Sequence, residues 1–153
     1  MTINPASIPP DGCHRYAIRV YYEDTDAGGV VYHATYLRYA ERARTEALRD
    51  LGIAHADLVE RFRLMFMVRG LEVDYQHGAR LDEALVVDTE VLEVGGASLR
   101  LIQTVRNKDG IRAVLAVRLA CVRVAGNKPA RIPPLWRERL LAMRSNHLAD
   151  GDI

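Results

Sequence analysis

One stretch of this chain has the period of a helix, and the inner stripe of that helix is built of alanine. Over residues 34–51, Tyr36, Ala40, Ala43, Ala47 and Leu51 fall on one face, with Leu37 and Leu48 beside them. Arg38, Glu41, Arg42, Arg49 and Asp50 mostly take the other side, and Gly52 stops the pattern. Small side chains on an inner stripe let another layer approach the helix closely. Nearly everything available to approach it is strand. Residues 14–23 alternate Tyr16, Ile18, Val20 and Tyr22 with Arg15, Ala17, Arg19 and Tyr21. After the helix come four more runs, at 69–77, 85–94, 99–106 and 111–124. His77-Gly78-Ala79-Arg80, Gly95-Gly96 and Asn107-Lys108-Asp109-Gly110 read as the turns between them. Consecutive strands joined by tight turns favour an antiparallel sheet, and a single long helix must then cover one face of it. The predicted class is therefore α+β, a curved antiparallel sheet of about five strands on one long central helix. A shorter helix is expected over 55–63, and another over 135–144, opened by Pro133-Pro134.

A chain of 153 residues is one domain's worth, and 49% apolar with 27% charged residues is a globular composition. The net charge of +1 gives no reason to expect a nucleic-acid partner, which calls for a strongly basic face. Cys13 and Cys121 are too few and too far apart for a disulfide framework, so a reducing compartment, the cytoplasm, is expected. Residues 1–12 carry Pro5, Pro9 and Pro10 and read as a loose tail rather than a signal peptide. The single domain is expected over 13–146, with 147–153 frayed. No run approaches the roughly 18 apolar residues of a membrane-spanning helix. His14, His55, His77 and His147 are scattered without ligand spacing, so no metal site is expected.

The chemistry gathers in residues 21–36, YYEDTDAGGVVYHATY. Glu23, Asp24 and Asp26 come first, then Gly28 and Gly29, then Val30 and Val31, then Tyr32-His33 just ahead of the helical pattern. The first turn of a helix has unpaired N–H groups that carry partial positive charge. Two glycines let backbone approach a substrate and adopt positive φ. A carboxylate beside such donors suits an attack on a polarised carbonyl. Plainer roles exist for each residue. Asp24 and Asp26 are also what turns and helix caps use, and His33 is also an ordinary helix-start residue. Glu41 and Glu46 read as solvated or paired carboxylates. Met65-Phe66-Met67 reads as core rather than a cofactor box, with the lining of a pocket as the alternative.

The run YYEDTDAGGVVYHATYL followed by YAERARTEAL resembles the acyl-CoA thioesterases of the 4-hydroxybenzoyl-CoA thioesterase branch of the hotdog superfamily. Within it, the likeness is closest to the Tol-Pal system-associated acyl-CoA thioesterases of bacteria. It spans about residues 16 to 124. The resemblance implies the hotdog fold, hydrolysis of acyl-CoA without a cofactor, Asp26 as the catalytic carboxylate and His33 as its helper. It implies Gly28, Gly29, Val31 and Tyr32 as substrate-binding residues, and a homodimer or homotetramer with the site between subunits. Asp26 either attacks the carbonyl or activates water, and the sequence leaves both open. An acyl carrier protein as partner and peripheral contact with a membrane are left open as well. Two other readings stand beside hydrolysis: a hydratase or dehydratase acting on acyl-thioesters, which releases no thiol, and a non-catalytic module that binds acyl carriers. Coenzyme A carries phosphates, and Arg69, Arg100, Arg106 and Lys108 are the basic residues considered for them, each also an ordinary exposed strand residue.

Overall fold

The computed structural model describes residues 11–144. The expected tail and frayed end lie outside that range, apart from Asp11 and Gly12, which turn into the first strand. The elements are β1 (His14–Arg19), α1 (Thr35–Asp50), α2 (His55–Asp57), β2 (Leu64–Tyr75), β3 (Ala84–Val94), β4 (Ser98–Asn107), β5 (Gly110–Arg123) and α3 (Pro134–Ala142). The strands form one antiparallel sheet in the order β1-β3-β4-β5-β2. Alternation settles which face is which. Leu85, Val87, Thr89 and Val91 of β3, Leu99, Leu101, Gln103 and Val105 of β4, and Ala113, Leu115, Val117 and Leu119 of β5 are all buried. Against them lies α1, which buries Tyr36, Tyr39, Ala40, Ala43 and Ala47 and sits over β1, β3 and β4. The alanine stripe thus meets the sheet as expected.

Two polar ties fix the helix on the sheet. Gln103, fully buried, donates through Nε2 to the Ala40 carbonyl (2.9 Å) and to Thr89 Oγ1 (3.0 Å), and its Oε1 accepts from Arg44 Nη1 (3.0 Å). At the other end of α1, His14 Nε2 lies 2.7 Å from Asp50 Oδ2, which joins the start of β1 to the last helical turn.

Three local expectations need correction. The first strand stops at Arg19 rather than running to residue 23, and Tyr21 and Tyr22 are 61% and 81% exposed. The Asp24 carboxylate accepts the Tyr21 N–H (2.9 Å) and turns Tyr22–Asp24 into a single 3-10 turn, a local bond that competes with sheet pairing. The second strand begins at Leu64, so Met65-Phe66-Met67 belongs to β2. It follows a π-helical turn over Leu58–Phe62 that ends at Arg63, whose φ is +55°. Finally, residues 76–83 are not a hairpin turn. β2 pairs with β5 and β3 pairs with β1, so this segment carries the chain from one part of the sheet to the other. The sheet order makes β2 an edge strand, and because α1 covers the β1-β3-β4 side its inner face is thinly covered. Val68, Leu71 and Tyr75 are 47%, 39% and 47% exposed.

Candidate active site

The acidic glycine loop closes on its own backbone. The Asp26 N–H donates to the Val30 carbonyl (2.8 Å), and the Gly29 N–H donates to the Asp26 carbonyl (3.1 Å). Gly29 has φ +79°, the conformation for which glycine is suited. The Asp26 carboxylate folds back over the turn it begins. Its Oδ1 accepts from the Gly28 N–H at 2.8 Å and from the Val30 N–H at 3.4 Å. That is the Asx-turn role foreseen as its plainer alternative. It occupies one oxygen only, and Oδ2 has no hydrogen-bond partner among the described residues. Asp26 and His33 are both exposed, and no hydrogen bond joins them among the described residues.

Past the turn, the chain is stapled twice. Thr25 bridges Val31, and the Tyr32 N–H donates to the Asp24 carbonyl (2.9 Å). The crossover then holds the loop from behind. The Val31 N–H donates to the Ala79 carbonyl (2.8 Å), and Val30 bridges Arg80. Val31 is buried, so this expected substrate-binding side chain is in the core. The Ala79 N–H in turn donates to the Tyr36 hydroxyl at 3.2 Å.

Helix α1 starts two residues after His33, and its cap position is Ala34, which has no capping side chain. The Thr35 N–H donates to the Tyr32 carbonyl (2.8 Å). With the Tyr32 N–H also engaged, the donors left without a protein acceptor at this corner, among the described residues, are the His33, Ala34 and Tyr36 N–H groups. Of the two residues just ahead of the helical pattern, Tyr32 has its N–H engaged and His33 has its N–H free among the described residues. Aromatic rings surround the corner. His33 lies 4.4 Å from the Tyr32 ring and 6.4 Å, edge-on, from Tyr75. Tyr36 packs edge-on against Tyr75 at 5.6 Å and Tyr39 at 6.2 Å. Burial, and then the neighbouring Asp24 carboxylate, hold the Tyr39 phenol above its ordinary pKa. The Tyr75 hydroxyl donates to the His33 carbonyl at 2.7 Å. Sequence reasoning missed Tyr36, Ala79 and Tyr75 as parts of this corner. Alternation put Tyr75 on the inner face of its strand, but nothing local says that it reaches His33.

Neither Asp26 nor His33 lines either of two clefts among the described residues. One of about 350 Å³ lies at Tyr21, Tyr22, Leu81 and Asp82. Another, of about 250 Å³, runs between Glu41, Arg44, Thr45 and Leu48 of α1 and Phe66, Val68 and Leu119 of the sheet. Of the basic residues considered for phosphate, Arg106 is paired with Asp88 (2.6 Å) and Arg100 with Glu93 (3.4 Å), both on the outer sheet face. No helix among the described residues is long and apolar enough to cross a membrane.

Residues 20–140 match the sequence profile of the thioesterase-like superfamily. The chain is 46% identical over 123 residues to the acyl-CoA thioesterase YbgC of Haemophilus influenzae, covering 80% of this chain and 90% of that protein. It is 43% identical over 120 residues to the acyl-CoA thioester hydrolase YbgC of Escherichia coli O157:H7, covering 78% and 89%. Among solved structures, a probable thioesterase from Bartonella henselae superposes with a TM-score of 0.76 at 34% identity, over 79% of this chain and 99% of that one.

Proposed function

The chain belongs to the thioesterase-like superfamily, and from that premise we propose that it hydrolyses acyl-CoA to a free carboxylic acid and CoA, with Asp26 as the reacting carboxylate. The observation that carries the assignment of Asp26 is the division of labour between its two oxygens. Oδ1 is held by the Gly28 and Val30 N–H groups, which aims the carboxylate, and Oδ2 is left for a water or a carbonyl carbon. The loop is tied at Asp24 and Thr25 to the corner where the His33 and Ala34 N–H groups are free. There they would hydrogen-bond the thioester oxygen and the charge that develops on it. In the water-activating route, Oδ2 takes a proton from water and the hydroxide adds to the carbonyl. The C–S bond then breaks, and the thiolate of CoA leaves with a proton that His33 can supply. In the direct route, Oδ2 adds to the carbonyl and the resulting anhydride is hydrolysed. Both routes use the same oxygen and the same donors.

We assign this activity to one domain over 13–146, in a homodimer or homotetramer that completes the site between subunits. Support comes from the free edge of β2, from its exposed Val68, Leu71 and Tyr75, and from the absence of Asp26 and His33 from the clefts described above. The cytoplasm is the compartment that suits two buried free thiols. An association with the Tol-Pal system and an acyl carrier partner rest on resemblance alone.

The test is Asp26→Asn, read by thiol released from acetyl-, octanoyl-, palmitoyl- and 4-hydroxybenzoyl-CoA. Asparagine keeps the Oδ1 acceptor, so the turn survives, but it removes the reacting oxygen. Turnover should fall by about 10²- to 10⁴-fold, the range general-base groups supply. Unchanged turnover rejects the role of Asp26. Turnover of enoyl-thioesters with no thiol released in the unmodified protein would favour a hydratase.

A further inference from the structure

We propose that Tyr75 is a positioning residue for thioester hydrolysis, holding the His33–Ala34 peptide so that the Ala34 N–H faces the thioester oxygen. The inference rests on the thioesterase reading above and adds a residue to it. Tyr75 is the last residue of β2, on the inner face and in register with Ala113. Its ring is half-exposed, so its hydroxyl has water within reach. It is nevertheless hydrogen-bonded to the His33 carbonyl at 2.7 Å, across 42 residues of sequence. The edge-on packing of the Tyr75 ring against Tyr36 and His33 fixes where that hydroxyl sits.

The consequence follows from peptide geometry. The chain has no cis peptide bonds among the described residues, and in a planar trans unit the C=O and the following N–H point in opposite directions. A His33 carbonyl drawn toward Tyr75 therefore turns the Ala34 N–H away from Tyr75, and that N–H has no protein acceptor among the described residues. The ordinary device for fixing this part of a helix is a capping side chain, and Ala34 supplies none. Were the peptide free to turn over, it would offer a carbonyl lone pair to the substrate oxygen in place of a donor. Tyr75 would thus do from a distant strand what a cap residue does locally.

Tyr75→Phe keeps the ring and deletes the hydroxyl. The first measurement is steady-state hydrolysis of whichever of butyryl-, octanoyl- or 4-hydroxybenzoyl-CoA the unmodified protein turns over fastest. We expect kcat to fall about three- to tenfold, the effect of one neutral hydrogen bond, with KM unchanged. The second is the infrared carbonyl stretch of the same acyl-CoA, ¹³C-labelled at the carbonyl and bound to Asp26→Asn protein. That band should lie below its free value, and adding Tyr75→Phe should move it back toward the free value. A merely structural role would not produce that shift. An unaltered kcat, or a fall in kcat with an unaltered band, overturns the proposal for Tyr75. No turnover of any acyl-CoA by the unmodified protein would instead defeat the thioesterase reading and the proposal with it.

Discussion

Replacing Gln103 with leucine tests whether the buried amide is what seats the helix. The side chains are close in size, so the change removes polarity and leaves little cavity. Gln103 is fully buried and makes three hydrogen bonds, to the Ala40 carbonyl of α1, to Thr89 of β3 and from Arg44 of α1. Leucine leaves the Thr89 hydroxyl, itself 1% exposed, without this partner. An unsatisfied buried polar group costs about 1–3 kcal/mol. Arg44 loses an acceptor for a cation that burial already disfavours, although its partial exposure lets water take over some of that bond. Its share is about 1 kcal/mol, below the roughly 1.5–3 kcal/mol of bonds to charged groups because water replaces part of it. The added apolar burial of leucine returns about 1 kcal/mol. The expected net loss is about 2 kcal/mol. For a domain of this size that lowers the thermal midpoint by about 4–8 °C, and it lowers the urea midpoint by about 1 M. The assay is urea unfolding followed by far-ultraviolet circular dichroism, extended to Thr89→Val and the double variant. Residues in one network should couple by at least about 0.5 kcal/mol in that cycle. A midpoint unmoved by Gln103→Leu, or strict additivity with Thr89→Val, would refute the reasoning.

Two further predictions follow. Gly29→Ala should cost about 1–2 kcal/mol, the penalty for an alanine at φ +79°; an added Cβ there meets nothing within 4 Å, so backbone strain is the whole effect. Thermal unfolding measures it, and a stability equal to the unmodified protein's would mean that the turn has another conformation. The second concerns alkaline pH. Burial, and then the charge of Asp88, push the Cys13 thiol up from 9.0 to about 12. The fold therefore keeps its proton where the unfolded chain has released it. The associated stability is intact below pH 9 and declines as pH rises from 9 toward 12, at up to about 1.4 kcal/mol per pH unit. Cys121, Tyr36 and Tyr39 shift in the same direction, so the test is a difference in slopes. Between pH 8 and 10.5 the urea midpoint of Cys13→Ala should fall less than that of the unmodified protein, and equal slopes would refute the assignment.

Much of this architecture was legible because it is periodic. The alanine stripe of α1 and the inner faces of β3, β4 and β5 are where a count by 3.6 and by 2 puts them. The fate of residues 76–83 was not legible, because His77-Gly78 has the composition of a tight turn whichever strands it connects. Choice of strand partner is a long-range property, and here it is set by β1 taking the place beside β3 that a hairpin would have given to β2. Tyr21 and Tyr22 failed for the opposite reason. Their alternation is good, but one carboxylate at Asp24 offers the backbone a nearer bond. The tie from Gln103 to α1 was also beyond reach, since a glutamine on a strand says nothing about which carbonyl it will meet.

The corner around His33 shows why a site can be half readable. The chemistry asks for a carboxylate, a turn and free N–H groups close together, and those can all be encoded within a dozen consecutive residues. Their placement cannot, because the loop's own bonds shape its turn but do not set where that turn sits against the rest of the fold. What restrains it arrives from elsewhere: the Ala79 carbonyl on the Val31 N–H, the Tyr36 hydroxyl on the Ala79 N–H, and the Tyr75 hydroxyl on the His33 carbonyl. Two of these groups belong to the crossover that the sequence disguised as a turn or are bonded to it, and the third closes the edge strand that leads into it. The crossover therefore explains both the error and the site. By passing behind the glycine loop, residues 76–83 hold that loop in place through Ala79 and Arg80.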